Sequence, residues 1–259
     1  MEKNESQNSK IRKIIILVAI GLLLLAIPLG YFFSWRPADN DYAAANDNIK
    51  TMRSAANLIT VELALIPYPG IINQNTPVKL RVLSEAYKKA YQSLKENAAI
   101  NRDFTLGPLY NRHKDTFAKY DQFIDQLTES IDLYVSALNE CKKVTDSFLQ
   151  EFNQDNFNTL MDSCQKAIDK GKSAPHAQFK DQFLSEYLDK TSNYMALIKK
   201  MTTATTNDET DIIVREIDKA YEEISKLGEI KLQFNPPNTT QAYDQLSSVL
   251  DSQKKAFWR

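Results

Sequence analysis

The feature that most constrains this chain is an uncharged, apolar run from Ile14 to Trp35. A helix of that length covers roughly 33 Å at ~1.5 Å per residue, which matches the ~30 Å hydrocarbon thickness of a bilayer. Aromatic residues cluster at its C-terminal end, where such rings favour the level of the headgroups. The run therefore predicts a transmembrane anchor at residues 14–35 that contacts the lipid bilayer.

The charged residues on either side of the run predict its orientation. The segment Lys10–Lys13 is basic, whereas one arginine and then several aspartates follow the run. Because basic flanks stay in the cytoplasm, we expect a cytoplasmic tail at 1–13 and an extracytoplasmic domain at 36–259. The alternative is a cleaved signal peptide, but the nearest small-residue site, Ala43–Ala45, lies far beyond the apolar run. We therefore expect a single-pass protein of the cell membrane.

The spacing of apolar residues beyond the anchor predicts an all-α domain. Apolar side chains recur at steps of three and four, and no alternating run indicates a strand. The longest seam extends from Phe117 to Phe152 and is interrupted only at Thr145. Such sustained spacing favours coiled-coil-like packing, and the short loops favour antiparallel neighbours. We predict an antiparallel bundle of about seven helices, with sub-bundles at 36–171 and 172–259.

Prolines, glycines and capping residues predict where the helices begin and end. Pro67–Gly70 is expected to end the first helix, and Gly107–Pro108 is expected to break the chain again. Asp155 is predicted to cap a helix that ends near Gly171. Thr206–Glu209 matches a capping box, in which two side chains satisfy the free amides at a helix start.

The residue types that carry chemistry are too few or too scattered for the common catalytic motifs. No two of the six glycines lie within eight residues of each other, which excludes glycine-rich phosphate and dinucleotide loops. Two histidines, His113 and His176, cannot form a three-histidine zinc site, and both are expected to be solvated helix residues. A net charge of −1 gives no basis for nucleic-acid binding. We therefore expect no catalytic residue, no cofactor and no metal.

Cys141 and Cys164 are the two cysteines of the chain. They flank the polar segment Asn153–Asn156 almost symmetrically, so an antiparallel hairpin would bring them to the same level. Outside the cytoplasm a disulfide could form there if the Cα atoms came within ~7 Å of each other. The alternative is two separate buried thiols that act as small apolar side chains.

Two segments are candidate contact surfaces. The loop after the first helix carries Tyr68, Ile71 and Ile72, which could bind a partner at the loop tip or fold back over the end of the bundle. The C-terminal segment could rest on lipid headgroups, or it could be a last helical turn packed on a neighbour. Its basic and aromatic residues are Lys254, Lys255, Phe257, Trp258 and Arg259.

These features predict a membrane-anchored, extracytoplasmic, non-catalytic interaction module that binds a protein or envelope partner, with a bacterial envelope as the expected setting. In length, helicity and position after a first span, the outer part resembles the helical ligand-binding domains of bacterial chemoreceptors. The resemblance implies a sensor-like ectodomain. That family pattern also includes a second span and a cytoplasmic output domain, so we expect signalling here to need a partner subunit. A third hypothesis is an enzyme that acts on an envelope polymer through acidic residues.

Overall fold

The computed structural model describes residues 37–147 and 153–255, and all regular structure within these ranges is helical. The prediction of an all-α bundle is confirmed. A 3-10 turn, Pro69–Ile71, follows the helix that ends at Ala64. One helical turn, Ala177–Phe179, and a π-helical segment, Lys180–Leu184, lead into the helix that begins at Ser185. The helices in chain order are α1 (Asp39–Ala64), α2 (Asn75–Glu96), α3 (Ala98–Arg102), α4 (Leu106–Ser147), α5 (Gln154–Lys172), α6 (Ser185–Met201), α7 (Asn207–Leu227) and α8 (Thr240–Lys255).

The predicted anchor at residues 14–35 lies outside the described residues, and so does the predicted tail at 1–13. Within residues 37–147 and 153–255, no helix has the length and apolar character needed to cross a bilayer. The anchor therefore stays a prediction.

The central element is α4, which has 42 residues and is roughly 63 Å long. Helices α1, α2 and α8 cover its N-terminal half, where the Tyr120 hydroxyl donates to Ala56 O at 3.1 Å. Helices α5 and α6 cover its C-terminal half. Buried side chains occur along the whole helix, from Leu106 to Val144. One helix therefore carries two groups of shorter helices on a continuous core.

The apolar seam predicted along α4 is present, with a shift near its C-terminal end. The positions from Phe117 to Tyr134 are buried as expected, but beyond them the seam passes through Val144 instead of Thr145. An α-helix has about 3.6 residues per turn, so a repeat of about 3.5 drifts slowly around it. The last two predicted seam positions, Phe148 and Phe152, lie outside the described residues.

The C-terminal helix packs with the N-terminal helices. Helix α8 contacts α1 and α4, and Arg53 Nη1 lies 2.9 Å from Asp244 Oδ1. The rings of Phe117 and Tyr243 stack with their centroids 5.4 Å apart. Helix α8 therefore packs with the group formed by α1, α2 and the first half of α4. The predicted division at residue 171 stays a prediction.

Helix α4 contains Gly107 and Pro108 in its first turn, so the predicted chain break is wrong. The carboxylate of Asp103 caps this helix, because its Oδ1 accepts from the amides of Thr105 and Leu106 at 2.7 and 2.8 Å. A proline is tolerated here since amides in the first turn have no partner within the helix.

Two other helix starts differ in detail from the prediction. Asn153, not Asp155, caps α5, because its Oδ1 accepts from the backbone amide three residues later at 3.0 Å. Asp155 lies within the first turn, where a negative charge complements the helix dipole. Thr206 caps α7 as predicted, but the carboxylate of Glu209 accepts from the amide of Thr205 and not from that of Thr206.

His176 is buried, so the prediction of a solvated helix residue is wrong at this position. Its side chain is 5% exposed, and its Nδ1 accepts from Phe179 N at 3.1 Å. Its backbone amide donates to Ser130 Oγ at 2.9 Å, and its ring meets Phe123 edge to face. Burial lowers the pKa of His176, because the charged imidazolium loses solvation.

We predict that His176 makes the free energy of unfolding fall as the pH decreases below 6.5. In that range the unfolded chain binds a proton that the folded chain excludes, so stability is lost until the folded histidine is also protonated. Urea denaturation at a series of pH values measures this slope. His176→Asn keeps an acceptor for the helix cap and should remove this component of the slope.

His113 provides the matched control, because its side chain is part-exposed and lies beside Gln245, with Nε2 2.7 Å from Oε1. The His113→Asn variant should keep the His176 component of the slope. A His176→Asn variant with the same pH dependence as the wild type would contradict the prediction.

Candidate functional site

The loop between α1 and α2 is fixed against the chain segment that follows α7. Gly70 N donates to Gly228 O at 3.1 Å, and Leu232 N donates to Pro67 O at 2.8 Å. A Cβ atom on residue 70 would lie 3.1 Å from Gly228 O, so glycine permits this close approach of two backbones. The Tyr134 hydroxyl also donates to the loop, with Pro69 O at 3.5 Å. These contacts hold the loop in one position.

The three apolar residues predicted at the loop tip have different surroundings. Tyr68 and Ile71 are 40% and 48% exposed, whereas Ile72 is 3% exposed and belongs to the core. Ile72 is therefore unavailable to a partner, because the loop folds its side chain inward. The other two side chains remain on the surface of a loop whose backbone is fixed.

The exposed loop residues are part of a larger apolar surface that the sequence analysis missed. In the described part of the chain, eleven large apolar side chains are at least 36% exposed, and seven of them lie on the α1–loop–α2 hairpin. We call these seven side chains the hairpin face. They are Leu58, Val61, Leu65, Tyr68, Ile71, Val78 and Val82.

Helical geometry places the five members at positions 58, 61, 65, 78 and 82 on one side of the hairpin. Residues 58, 61 and 65 recur at helical spacing and lie away from the buried positions of α1. Lys79 Nζ lies 3.5 Å from Glu62 Oε2, so these two residues are level with each other in the antiparallel pair of helices. In that register Val78 and Val82 lie beside the last two turns of α1, on the side of α2 opposite its buried residues. The signal for this surface in the sequence was a second apolar stripe along α1, formed by residues 58, 61 and 65.

A cleft with a volume of about 350 Å³ lies between α4, α6 and α7. This volume is within the range of small-molecule sites. The rings of Tyr194 and Tyr221 are 6.3 Å apart, and burial raises the pKa of Tyr187 to about 12, which keeps its hydroxyl protonated. The cleft is lined by Leu138, Cys141, Lys142, Thr145, Asp146, Tyr187, Thr191, Tyr194, Met195, Tyr221 and Ile224.

The two cysteines lie on the neighbouring helices α4 and α5, and their sulfur atoms are bonded. The Cα atoms of Cys141 and Cys164 are 4.6 Å apart, and both residues are buried. The antiparallel hairpin around Asn153 brings them to the same level. Because Cys141 also lines the cleft, the disulfide supports one of its walls.

The candidate membrane-surface segment begins at the end of α8. The backbone of Lys254 and Lys255 forms the last helical residues, and the residues after them, including Phe257, Trp258 and Arg259, lie outside the described residues. The position of α8 nevertheless defines the end of the bundle at which this segment starts.

Comparisons of the chain with models of protein families, with curated proteins and with solved structures gave no match. Within residues 37–147 and 153–255, no group of three or more His, Cys, Asp and Glu side chains is arranged to hold a metal ion.

We predict that replacing both cysteines by alanine lowers the free energy of unfolding by about 3 kcal/mol, because the unfolded chain regains the entropy of an open loop. The loop closed by Cys141 and Cys164 spans 23 residues. Urea denaturation with and without reductant measures the effect. Reductant should destabilise the wild type but leave the double variant unchanged. Mass spectrometry without reductant that finds both thiols free would contradict the prediction.

Proposed function

We propose that this chain is a membrane-anchored, extracytoplasmic, non-catalytic helical module that binds another protein through the hairpin face. The observation that carries the proposal is the concentration of exposed apolar side chains on one hairpin. Single exposed apolar residues are common on proteins, but a contiguous group is typical of contact surfaces. The other four large apolar side chains that are exposed in the described ranges lie outside this hairpin. They are Phe104, Ile212, Val214 and Tyr221.

The energetics of burial favour a protein partner for this surface. Fully burying a Leu or Val side chain contributes roughly 1.5–3 kcal/mol, so several side chains covered together provide a substantial driving force. The contact of Gly70 with Gly228 fixes the loop that carries Tyr68 and Ile71. A preorganised loop loses less conformational entropy on binding, which increases affinity without further contacts.

The apolar run Ile14–Trp35 supports the anchor and the location of this surface. Helix α1 begins at Asp39, four residues after the run, and its 26 residues extend for roughly 39 Å. The hairpin face occupies the far end of this helix. If α1 stands upright on the membrane, the hairpin face lies far from the lipid and is accessible to a protein of the envelope or of a neighbouring cell.

We predict that Val61→Glu with Leu65→Glu reduces partner binding at least about thirtyfold, the loss expected when a contact worth ~2 kcal/mol is removed. Both side chains are more than half exposed, so the substitutions should change folding stability by less than about 0.5 kcal/mol. The measurement places a photo-crosslinking amino acid at Val82 in intact cells and compares the yield of crosslinked protein with and without the two substitutions.

Ile212 supplies a control for this experiment, because it is 54% exposed, as Val61 is, but lies on α7. Ile212→Glu with Val214→Glu should leave crosslinking from Val82 unchanged. Equal loss of crosslinking in both double variants, or no loss in either, would refute the role of the hairpin face.

A second candidate function is that of a sensor-like ligand-binding ectodomain that works with a partner signalling subunit. It is favoured by the cleft beside Tyr194 and Tyr221, whose rings provide apolar faces. Lys142 and Asp146 lie on the α4 side of the same cleft and provide charges of both signs. This combination suits a small amphipathic or aromatic molecule with a polar group.

We predict that Thr145→Trp blocks this cleft, because Thr145 is part-exposed on its wall. A small-molecule library is screened by thermal shift against the wild type, where a ligand at a hundred times its Kd stabilises by about 2.7 kcal/mol. The Thr145→Trp variant should lose the shift, and Ser136→Trp, on an exposed part of α4 away from the cleft, should keep it. A ligand that stabilises all three proteins equally binds elsewhere, which would count against this function.

A further inference from the structure

The cleft between α4, α6 and α7 is lined mainly by apolar and aromatic side chains. Leu138, Met195 and Ile224 provide one apolar side chain from each of the three helices. Tyr187 is 6% exposed, and burial raises its pKa to about 12, so its hydroxyl is neutral at neutral pH. The cleft can therefore cover the apolar part of a small molecule.

Two tyrosine rings form a wedge in this cleft. Tyr194 on α6 and Tyr221 on α7 have their ring centroids 6.3 Å apart, and the ring planes are tilted by 45°. Tyr221 is 62% exposed, so this pair of rings is accessible from solvent. The face of an aromatic ring is electronegative and attracts a cation that lies within about 6 Å of its centroid. Because the two centroids are close, one cation can lie within that distance of both rings.

Carboxylates flank the tyrosine pair from two helices. Asp146 lines the cleft on α4, and Asp218 lies one turn before Tyr221 on α7. Burial raises the pKa of Tyr194, and Tyr221 and Asp218 add to this shift, which indicates that the Asp218 carboxylate is near the hydroxyl of Tyr194. Within the described ranges, neither Asp146 nor Asp218 takes part in an ion pair. Both negative charges are therefore available to a ligand.

One lysine opposes these two carboxylates. Lys142 lies one turn before Asp146 on α4, and both residues are exposed. A lysine side chain is long and flexible, so its ammonium group can turn into solvent, whereas the short aspartate side chain has less freedom to move away. On α6, the ammonium group of Lys190 is paired with Glu223 at 2.9 Å. The charges available around the tyrosine pair are therefore negative in excess.

We infer that the cleft binds a small organic cation, whose ammonium group lies against the rings of Tyr194 and Tyr221 and whose apolar part fills the cleft. The inference rests on the second candidate function, that of a ligand-binding ectodomain, and specifies the charge of its ligand. The tyrosine ring faces and the carboxylates of Asp146 and Asp218 all attract a positive charge. They repel an anion, and they give a neutral molecule of the same shape no comparable attraction.

Three probes that share a phenyl ring and differ in charge test this inference. They are the cation phenethylammonium, the neutral phenethyl alcohol and the anion hydrocinnamate. Binding to the full chain is measured by ligand-observed NMR titration, and the Thr145→Trp variant reports binding outside the cleft. We expect the cation to bind about tenfold more tightly than the alcohol, and the anion to bind most weakly.

Replacing the two carboxylates should reduce the preference for the cation. Asp146→Asn with Asp218→Asn is expected to weaken the binding of phenethylammonium about fivefold and to leave the binding of phenethyl alcohol unchanged. Glu129→Gln with Glu216→Gln makes the same change in net charge at exposed positions of α4 and α7 outside the cleft, so both affinities should stay the same. Circular dichroism of each variant checks that the helices remain folded.

Three results would overturn the inference. Equal affinity for the cation and the alcohol, or tighter binding of the anion, would retain a ligand-binding cleft but remove its preference for positive charge. Equal weakening of cation binding by the two double variants would assign the preference to the net charge of the protein and not to the cleft. Binding of no probe, or binding that persists in the Thr145→Trp variant, would refute the cleft as a binding site, and the inference would fail together with the second candidate function.

Discussion

The fold depends on the need to cover a single helix that is much longer than any of its neighbours. Helix α4 has 42 residues with buried side chains near both ends, at Leu106 and Val144, whereas the next longest described helix, α1, has 26. No single neighbour can therefore shield the apolar side of α4 from water, and two groups of helices share it. The first group needs α8 to return from the end of the chain, which explains why contacts between residues as distant as His113 and Gln245 occur.

The meeting point of the two groups also determines the hairpin surface. The loop after α1 lies where the first group ends on α4, close to Tyr134. The chain after α7, the helix that packs on α6 of the second group, supports this loop. Backbone contact between Gly70 and Gly228 therefore ties the tip of one group to the other. The same contact explains why Ile72 points inward while Ile71 stays exposed, since the loop has one buried side and one open side.

Much of the fold could be predicted from the sequence because helical periodicity is a local property. The spacing of apolar residues along α1 and α4 and the turn at Pro67–Gly70 needed no knowledge of distant residues. One error was local, because Asp103, which caps α4, lies just before the break predicted at Gly107–Pro108. The other errors occurred where residues distant in sequence decide. His176 is buried because Ser130 and Phe123 contact it. The hairpin face was missed for the same reason: α1 carries two apolar stripes, and only tertiary packing selects which one is covered.

The proposed location of the domain is supported by two independent physical arguments. The first concerns the solvation of the chain before residue 36, where an apolar run follows basic residues that do not cross a bilayer readily. The second concerns the bond between Cys141 and Cys164, which lies on the second half of α4, far from that run in sequence. A stable disulfide requires an oxidising compartment, and the outer side of a cell membrane provides one. In a reducing cytoplasm this bond would be lost, and with it a constraint on the α4–α5 hairpin.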